Sequence, residues 1–218
     1  MAYLSSYLNF LESILREIHP STAGTEMLEL GDQLIIDEGR TRLARDYFLG
    51  LGLHYTSVDI HGLNGAVRKN LDKPQQFKDW QDRFDIVTNI GTSEHVAKQY
   101  ECFQIIHNVT RQNGLMVHIV PLAESKKWQN HSPCAYTHDF FERLAAANGY
   151  LILRQETMDE SVAIVLKRAG EFKTGREFFK NYVVVREYQP SIRIRIDSFV
   201  KRWGLSKIKR DMLAALGK

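Results

Sequence analysis

The sequence predicts an α/β fold built on a mostly parallel sheet that ends in an antiparallel hairpin. Between residues 26 and 168, short β-rich runs alternate with helical patterns, which is typical of parallel strands joined by crossover helices. Two strand-like runs, 150–157 and 161–168, are separated only by Met158-Asp159-Glu160. A parallel pair needs a connection of about a dozen residues or more, so these two runs must pair antiparallel.

The N-terminal residues 1–25 show the spacing of an amphipathic helix that ends near His19-Pro20. The apolar stripe of this helix consists of Leu4, Leu8, Leu11, Ile14 and Leu15. We expect the helix to pack on the domain that follows.

The first half of that domain contains three predicted strands, at 26–31, 54–60 and, more weakly, 66–71. A helix is predicted between the first two strands. Its buried face consists of Leu43, Ala44, Tyr47, Phe48 and Leu51.

The second half begins with the strongest strand pattern, at 84–91. A helix follows, which we expect Gly114 to stop, and then a strand at 115–121. The stripe of that helix consists of Val96, Tyr100, Phe103, Ile106 and Thr110. Thr137 is predicted to cap a helix through Ala147 that buries Phe140, Phe141 and Leu144.

Composition agrees with one globular domain and an appendage. The chain has 218 residues, 44% of them hydrophobic, 25% charged and 11% aromatic, which excludes disordered, collagen-like and coiled-coil proteins. The sequence shows no apolar run of about 18 residues and no basic segment followed by an apolar run, so we expect no membrane span and no secretion signal. Two cysteines without CxxC spacing agree with a reducing compartment, and we expect a cytoplasmic protein.

Charge divides the chain into two parts. Residues 171–218 hold 12 Lys and Arg against 5 Asp and Glu, whereas residues 1–170 carry a net charge of −4. We therefore predict an N-terminal helix at 1–25, a domain at 26–168 and a basic extension at 169–218. The extension contains a strand-like run at 192–196 and a basic amphipathic helix at 199–216, which could cover the substrate side, form an oligomer contact or bind an anionic partner.

The order of elements, the acidic residue that closes the second strand and the terminal hairpin together resemble the class I S-adenosylmethionine-dependent methyltransferases. The resemblance covers residues 26–168. It implies a Rossmann-like sheet of seven strands with helices on both faces, and S-adenosylmethionine as the cofactor.

The resemblance also implies a cofactor site. In that family the first strand ends in an acidic residue and a glycine turn, which here are Glu29 and Gly31. The second strand ends in an acidic residue that accepts hydrogen bonds from the ribose hydroxyls, which here is Asp59. An Asp or Asn after strand three lies near the adenine, which matches Asn70 or Asp72, with Asn70 favoured. The remaining residues assigned to the cofactor are Ile60, Leu71, Asn89 and Gly91.

The turn after the first strand departs from the family pattern. The next glycine after Gly31 is Gly39, and Asp59 follows Glu29 by 30 positions, where about 20 is typical. Either this loop closes differently over the cofactor or cofactor binding has been lost.

Catalysis of methyl transfer requires alignment of donor and acceptor and, for a hydroxyl acceptor, removal of a proton. His95, with Glu94 beside it, is the candidate base, because a neutral imidazole suits that task. The alternative is that His95 only opens the next helix, where Thr92 and Ser93 could serve as caps.

Other chemistries are disfavoured. No pair of histidines or cysteines has compact ligand spacing, so the sequence predicts no metal site. Pro133-Cys134 is weak evidence for a nucleophilic cysteine. The family's motif for methylating amino groups is missing, because Asn89 is followed by Ile90-Gly91.

The leading hypothesis is therefore methyl transfer to an oxygen of a small-molecule or sugar-like acceptor. One alternative is a protein of the same fold that is inactive and serves in binding or assembly. Another is a nucleic-acid methyltransferase guided by the basic extension.

Overall fold

The structure, a computed structural model, describes residues 2–17, 19, 22–37 and 40–186. The strands are β1 Ala2–Tyr3, β2 Glu26–Leu30, β3 Leu34–Asp37, β4 Arg40–Leu43, β5 His54–Asp59, β6 Val67–Arg68, β7 Phe84–Ile90, β8 Thr110–Pro121, β9 Cys134–Tyr136, β10 Leu151–Met158, β11 Ser161–Lys167 and β12 Val183–Val185. The α-helices are α1 Ser5–Glu17, α2 Ala44–Gly50, α3 Gln99–Val109, α4 Phe140–Asn148 and α5 Arg176–Tyr182, and 3-10 helices cover Pro74–Trp80 and Ser93–His95.

Seven of the described strands form the central sheet, in the order β10-β11-β8-β7-β2-β5-β6. β2 pairs in parallel with both β5 and β7, and β7 pairs in parallel with β8. β11 runs antiparallel between β8 and β10, with Met158 opposite Ser161 beside the turn. The predicted α/β class, the mostly parallel sheet and the closing hairpin are confirmed.

Helices cover both faces of the sheet, so successive side chains of the central strands enter different cores. Leu28 and Leu30 of β2 belong to one core cluster, which α3 and α4 join through Phe103 and Phe141. Met27 belongs to the other cluster, which α1 and α2 complete. The prediction of helices on both faces is confirmed.

The predicted N-terminal helix is present as α1. Four residues of its stripe are buried against the second core: Leu8, Leu11, Ile14 and Leu15. Leu4 precedes the helix and is half-buried. The helix therefore packs directly on the sheet.

The segment between Gly31 and Ala44 differs from the prediction. β3 and β4 pair as an antiparallel hairpin with Leu34 opposite Leu43, and α2 begins only at Ala44. Leu43 thus lies in a strand, and Leu51 follows the end of α2 and is exposed. Assigning these two leucines to the buried helix face was wrong.

Long-range pairing explains this difference. Strand β1 adds to the hairpin in parallel, placing Ala2 beside Leu34 and Tyr3 beside Ile35. Local periodicity cannot reveal a pairing between residues more than 30 positions apart, although the run of apolar residues at 34–36 has strand character.

Two predicted helix boundaries were also wrong. α3 ends at Val109 and β8 begins with the next residue, so Gly114 lies within a strand. A Cβ there would stand 2.9 Å from the carbonyl oxygen of Arg111, so the close backbone approach explains the glycine. The N-cap of α4 is Asp139, whose carboxylate accepts a hydrogen bond from the Thr137 hydroxyl at 2.9 Å.

Residues 176–186 return the chain to the carboxyl end of the sheet. α5 places Phe179 in the first core, and β12 pairs antiparallel with β9. Arg186 then donates hydrogen bonds to the carbonyl oxygens of Trp128 at 3.1 Å and Leu122 at 3.2 Å. The strand-like run and the basic helix predicted beyond residue 191 lie outside the described residues.

None of the helices within the described residues has the length and hydropathy that a membrane-spanning segment requires.

Candidate functional site

The strand order reverses between β2 and β7, where the carboxyl ends of the parallel strands meet. In doubly wound sheets, ligands bind in the crevice at such a point. Two cavities open there, and the turn that follows β7 contributes residues to both.

The first cavity has a volume of about 190 Å³, and we call it the Asp59 cavity. It brings together seven residues that the sequence predicts for the site: Gly31, Asp59, Ile60, Asn70, Leu71, Asp72 and His95. Asp59 closes β5, is half-buried, and accepts a hydrogen bond from the backbone N–H of His61 at 2.7 Å. Asp59 thus forms an Asx turn and also lines the cavity.

Backbone forms the wall of this cavity at Gly31. This residue has a φ of 93°, and a Cβ on it would stand 2.8 Å from Oγ1 of Thr92 and 3.0 Å from Nε2 of Gln33. Any larger residue would be strained and would clash. The Thr92 hydroxyl donates to the carbonyl oxygen of Leu30 at 2.6 Å, so the predicted capping role of Thr92 is not observed.

Gln33 contacts this wall from the buried side. Its Nε2 donates to the carbonyl oxygen of Ile90 at 2.8 Å. Its Oε1 is buried and has no hydrogen-bond partner within the described ranges. Gln33 therefore supports the Gly31 wall from inside the protein and is not among the residues that line the cavity.

The loop after β6 forms the opposite wall. Oδ1 of Asn70 accepts a hydrogen bond from the N–H of Asp72 at 2.8 Å, and Oδ1 of Asp72 accepts one from the N–H of Lys98 at 2.8 Å. Both alternatives for the adenine contact therefore lie at the cavity and hold the loop in place. An adjoining cleft of about 350 Å³ is lined by Ile60, Arg68, Lys69, Asn70, Lys73 and Gln76.

Glu29 does not lie at the Asp59 cavity. It is fully buried in the second core, where the hydroxyls of Tyr3 and Tyr55 donate to its two carboxylate oxygens. Burial raises the pKa of Glu29 to about 7, although both hydroxyls oppose that shift. The family resemblance suggested this residue for the cofactor, but its side chain is a hydrogen-bonded element of the core.

Asn89 also lies away from the cavity. Its amide donates to Oγ of Ser93 at 2.8 Å and approaches Nδ1 of His118 at 3.1 Å, while its Oδ1 accepts from the N–H of Ser93 at 2.9 Å. Asn89 thus braces the turn after β7. Gly91 lines the second cavity instead of the first.

The second cavity, which we call the His131 cavity, has a volume of about 180 Å³. Its lining is predominantly apolar and consists of Leu4, Tyr7, Ile90, Gly91, Glu94, Ile119, Pro121, Trp128, His131 and Ser161. The N-terminal residues Leu4 and Tyr7 therefore complete a cavity at the carboxyl end of the sheet.

Between the two cavities, Glu94, His95 and His131 form what we call the boundary cluster. Nε2 of His95 lies 3.3 Å from Nε2 of His131, and Oε1 of Glu94 lies 4.0 Å from the latter atom. Burial raises the pKa of the Glu94 carboxyl to about 8. His95 is exposed at its outer side, yet desolvation of its ring and the neighbouring His131 lower its pKa to about 4.

His131 is the residue that sequence reasoning missed, because it lies 36 positions from His95 in an irregular loop. The turn after β7 supplies Glu94 and His95, whereas the N–H of His131 donates to the carbonyl oxygen of Trp128 at 3.0 Å. The sequence did contain one signal for this cluster, since His95 and His131 both lie in segments that follow predicted parallel strands.

Two further titratable side chains near the site, His118 and Cys134, are part of the core. His118 is buried and stacks on Phe103, with its pKa well below the ordinary value because of burial. Cys134 is buried, and burial raises the pKa of its thiol, which is the opposite of what a nucleophilic cysteine requires.

No family model matches the sequence, and no curated protein matches it. Among solved structures, the chain is similar to a Burkholderia thailandensis 1,6-didemethyltoxoflavin-N1-methyltransferase bound to 1,6-didemethyltoxoflavin and S-adenosylhomocysteine. The TM-score is 0.50 at 14% identity over 74% of this chain and 86% of that one.

Two further solved structures are similar to this chain. A protein from Pyrococcus horikoshii OT3 gives a TM-score of 0.53 at 11% identity, covering 76% of this chain and 92% of that one. An S-adenosylmethionine-dependent methyltransferase from Mesorhizobium loti gives 0.50 at 14% identity, covering 72% and 96%. Identities this low show the fold alone: the chain has the Rossmann-like fold of class I methyltransferases.

Proposed function

We propose that this protein transfers a methyl group from S-adenosylmethionine, held in the Asp59 cavity, to an oxygen of a small molecule held in the His131 cavity. The observation that carries the proposal is the juxtaposition of the two cavities, which meet at the boundary cluster in a methyltransferase fold. Proximity of donor and acceptor is the main requirement of an in-line displacement.

The residues of the Asp59 cavity fit the proposed donor. The carboxylate of Asp59 suits ribose hydroxyls, since it closes β5 at the crevice. Ile60 is 56% exposed at the wall, and Leu71 lies on the same cavity, so both offer apolar surface to a purine. The missing side chain at Gly31 lets a ligand approach the backbone closely at this wall.

His95 is proposed as the base for a hydroxyl acceptor. Its neutral imidazole lines the Asp59 cavity and reaches the boundary with the His131 cavity, so it is placed to take the hydroxyl proton as the oxygen bonds to the methyl carbon. S-adenosylmethionine supplies that methyl group from its sulfonium, and the electron pair of the broken carbon–sulfur bond stays on sulfur. Glu94 lies beside this proton path in the wall of the acceptor cavity.

The apolar lining of the His131 cavity favours a small acceptor. Aromatic and aliphatic side chains with a few polar groups are typical of small-molecule sites. The groups there that can form hydrogen bonds, Glu94, His131 and Ser161, suit an acceptor that carries hydroxyl groups.

Calorimetric titration with S-adenosylmethionine and S-adenosylhomocysteine tests the donor site. We expect micromolar binding to the wild-type protein and at least a tenfold weakening in Asp59→Ala. Asp46→Ala, which removes an exposed carboxylate from the first turn of α2, is the matched control and should bind normally. Equal affinities in the wild type and both variants would refute the assigned role of Asp59.

One observation favours a second candidate function, an inactive protein that serves in assembly. The chain after Gly31 enters the β3–β4 hairpin instead of the glycine-rich turn and helix of the family pattern. In that case neither ligand binds, and the purified protein forms a stable complex with a partner, detectable by light scattering.

A further inference from the structure

The three side chains of the boundary cluster bring one carboxylate and two imidazoles to a single point. One ligand atom from each of Glu94, His95 and His131 lies within 4.8 Å of the other two. Glu94 and His131 line the His131 cavity, whereas His95 lines the Asp59 cavity. Any ion held there would lie at the boundary of the two.

These groups do not satisfy one another by hydrogen bonding. Between two neutral imidazoles only one Nε2 can carry the shared proton, so the pair supplies a single hydrogen bond at 3.3 Å. Oε1 of Glu94 is 4.0 Å from His131, beyond hydrogen-bond reach. Oε2 of Glu94 is buried without a hydrogen-bond partner in the part of the chain that the structure describes.

The Glu94 side chain is only 1% exposed, and one of its two oxygens has no hydrogen-bond partner among the described residues. A buried carboxylate of this kind requires a proton or a cation. The described residues place no Lys or Arg in an ion pair with Glu94. A metal ion among the three side chains would neutralise the carboxylate and would use the Nε2 lone pairs of both imidazoles.

The distances match a tetrahedral ion. Zinc–nitrogen bonds of about 2.0–2.1 Å place two ligands of a tetrahedron about 3.3 Å apart. The two Nε2 atoms lie 3.3 Å apart without any adjustment. Oε1 of Glu94 is 4.0 Å from Nε2 of His131 and within 4.8 Å of the His95 ligand atom, so the carboxylate must move inward by about 1–1.5 Å. Two histidines and one glutamate are a known donor set of zinc sites that keep a fourth position open.

We propose that Glu94, His95 and His131 bind one divalent transition-metal ion of the zinc class, with the fourth position open to the His131 cavity. The role of this ion in catalysis rests on the proposed function, whereas its binding does not. With the ion present, His95 is a ligand and not the base. The acceptor hydroxyl would then occupy the open position and lose its proton to solvent, since a bound cation lowers the pKa of a coordinated oxygen acid.

The test is a titration of the full-length protein, stripped with a chelator, with Zn²⁺ by calorimetry and with Co²⁺ by visible absorption. We expect one equivalent of each ion to bind, with the intense visible bands of four-coordinate Co²⁺. His131→Ala and Glu94→Gln should each weaken Zn²⁺ binding more than tenfold. His54→Ala, which removes an exposed imidazole paired with Glu26, should leave it unchanged.

Thermal unfolding guards against variants that merely misfold. Zn²⁺ should raise the Tm of the wild-type and His54→Ala proteins but not that of His131→Ala, because only a ligand that binds the native state stabilises it. The proposal is overturned if the wild-type protein binds Zn²⁺ no more tightly than His131→Ala.

A parallel titration with S-adenosylmethionine, on the same metal-free sample, separates the two proposals. Donor binding without Zn²⁺ binding overturns the metal site and leaves the methyltransferase proposal intact, with His95 as base. Zn²⁺ binding without donor binding overturns the methyltransferase proposal and leaves the metal site intact.

Discussion

Glu29 lies at the carboxyl edge of β2 in the sequence pattern, but its side chain points into the core. Alternation along the strand decides this, since Met27 and Glu29 share one face of β2 while Leu28 and Leu30 share the other. Tyr3 and Tyr55 then satisfy the buried carboxyl. A charged residue has become part of the packing beneath the site.

The raised pKa of Glu29 predicts a pH-dependent stability. The unfolded chain loses the proton near pH 4.5, whereas the native state keeps it to about pH 7, so stability falls as pH rises between these values. Relative to Glu29→Gln, the wild-type free energy of unfolding should fall by about 1–3 kcal/mol over this window. Urea unfolding at several pH values measures it, and the exposed Glu177→Gln should not alter the slope.

Gly31 is predicted to be irreplaceable, in contrast to another glycine nearby. Gly31→Ala forces a Cβ into a positive-φ position against Thr92 and should cost about 1–3 kcal/mol and weaken donor binding. Gly50 ends α2 with open space around it, so Gly50→Ala should be neutral or stabilising by up to about 1 kcal/mol. Unfolding curves and donor titration of both variants check this contrast.

At the scale of elements, the N-terminal helix contributes to both core and site. α1 buries its apolar stripe in the second core, and the residues just before and within it, Leu4 and Tyr7, line the His131 cavity. The hairpin β3–β4 holds the preceding strand β1 in place by parallel pairing. The N-terminal segment is thus tied to the residues that follow Gly31.

This packing predicts that α1 unfolds together with the sheet. Leu11 is fully buried, so Leu11→Ala should cost about 2–5 kcal/mol. Asn9→Ala, on the exposed face of the same helix, should cost less than about 1 kcal/mol. A single cooperative transition is expected in urea for both, and a separate early transition for α1 would show that it is only loosely attached.

At the scale of the whole molecule, the basic segment that the charge pattern defines does not coincide with the end of the folded core. Phe179 of α5 and Val183 of β12 belong to the first core, and β12 pairs with β9, so removing everything after Arg168 would expose that core. A truncation that tests the basic extension therefore belongs after Arg186. The removed segment, 187–218, holds 8 Lys and Arg against 3 Asp and Glu.

We predict that truncation after Arg186 leaves donor affinity unchanged, because residues between Gly31 and Val96 line the entire Asp59 cavity within the described part of the chain. Calorimetry measures this directly. Salt-dependent RNA or DNA binding that disappears on truncation would favour the nucleic-acid alternative. Unchanged nucleic-acid affinity would argue against it.

Local information was sufficient for much of this protein. Strand and helix periods located most elements of the sheet, and the short link at Met158-Asp159-Glu160 required an antiparallel hairpin on chain-length grounds alone. Asp59 and Asn70, which follow the ends of two strands, line one cavity, because parallel strands deliver their carboxyl ends to the same edge of the sheet.

Only the tertiary structure shows which way individual side chains point and which distant loops come into contact. Glu29 and Asn89 have suitable positions in sequence, yet strand alternation and hydrogen bonds turn them into the core. The boundary cluster joins His131 to a turn 36 residues earlier. Sequence periodicity encodes which residues share a face of one element, whereas contacts between separate loops depend on how the whole sheet packs.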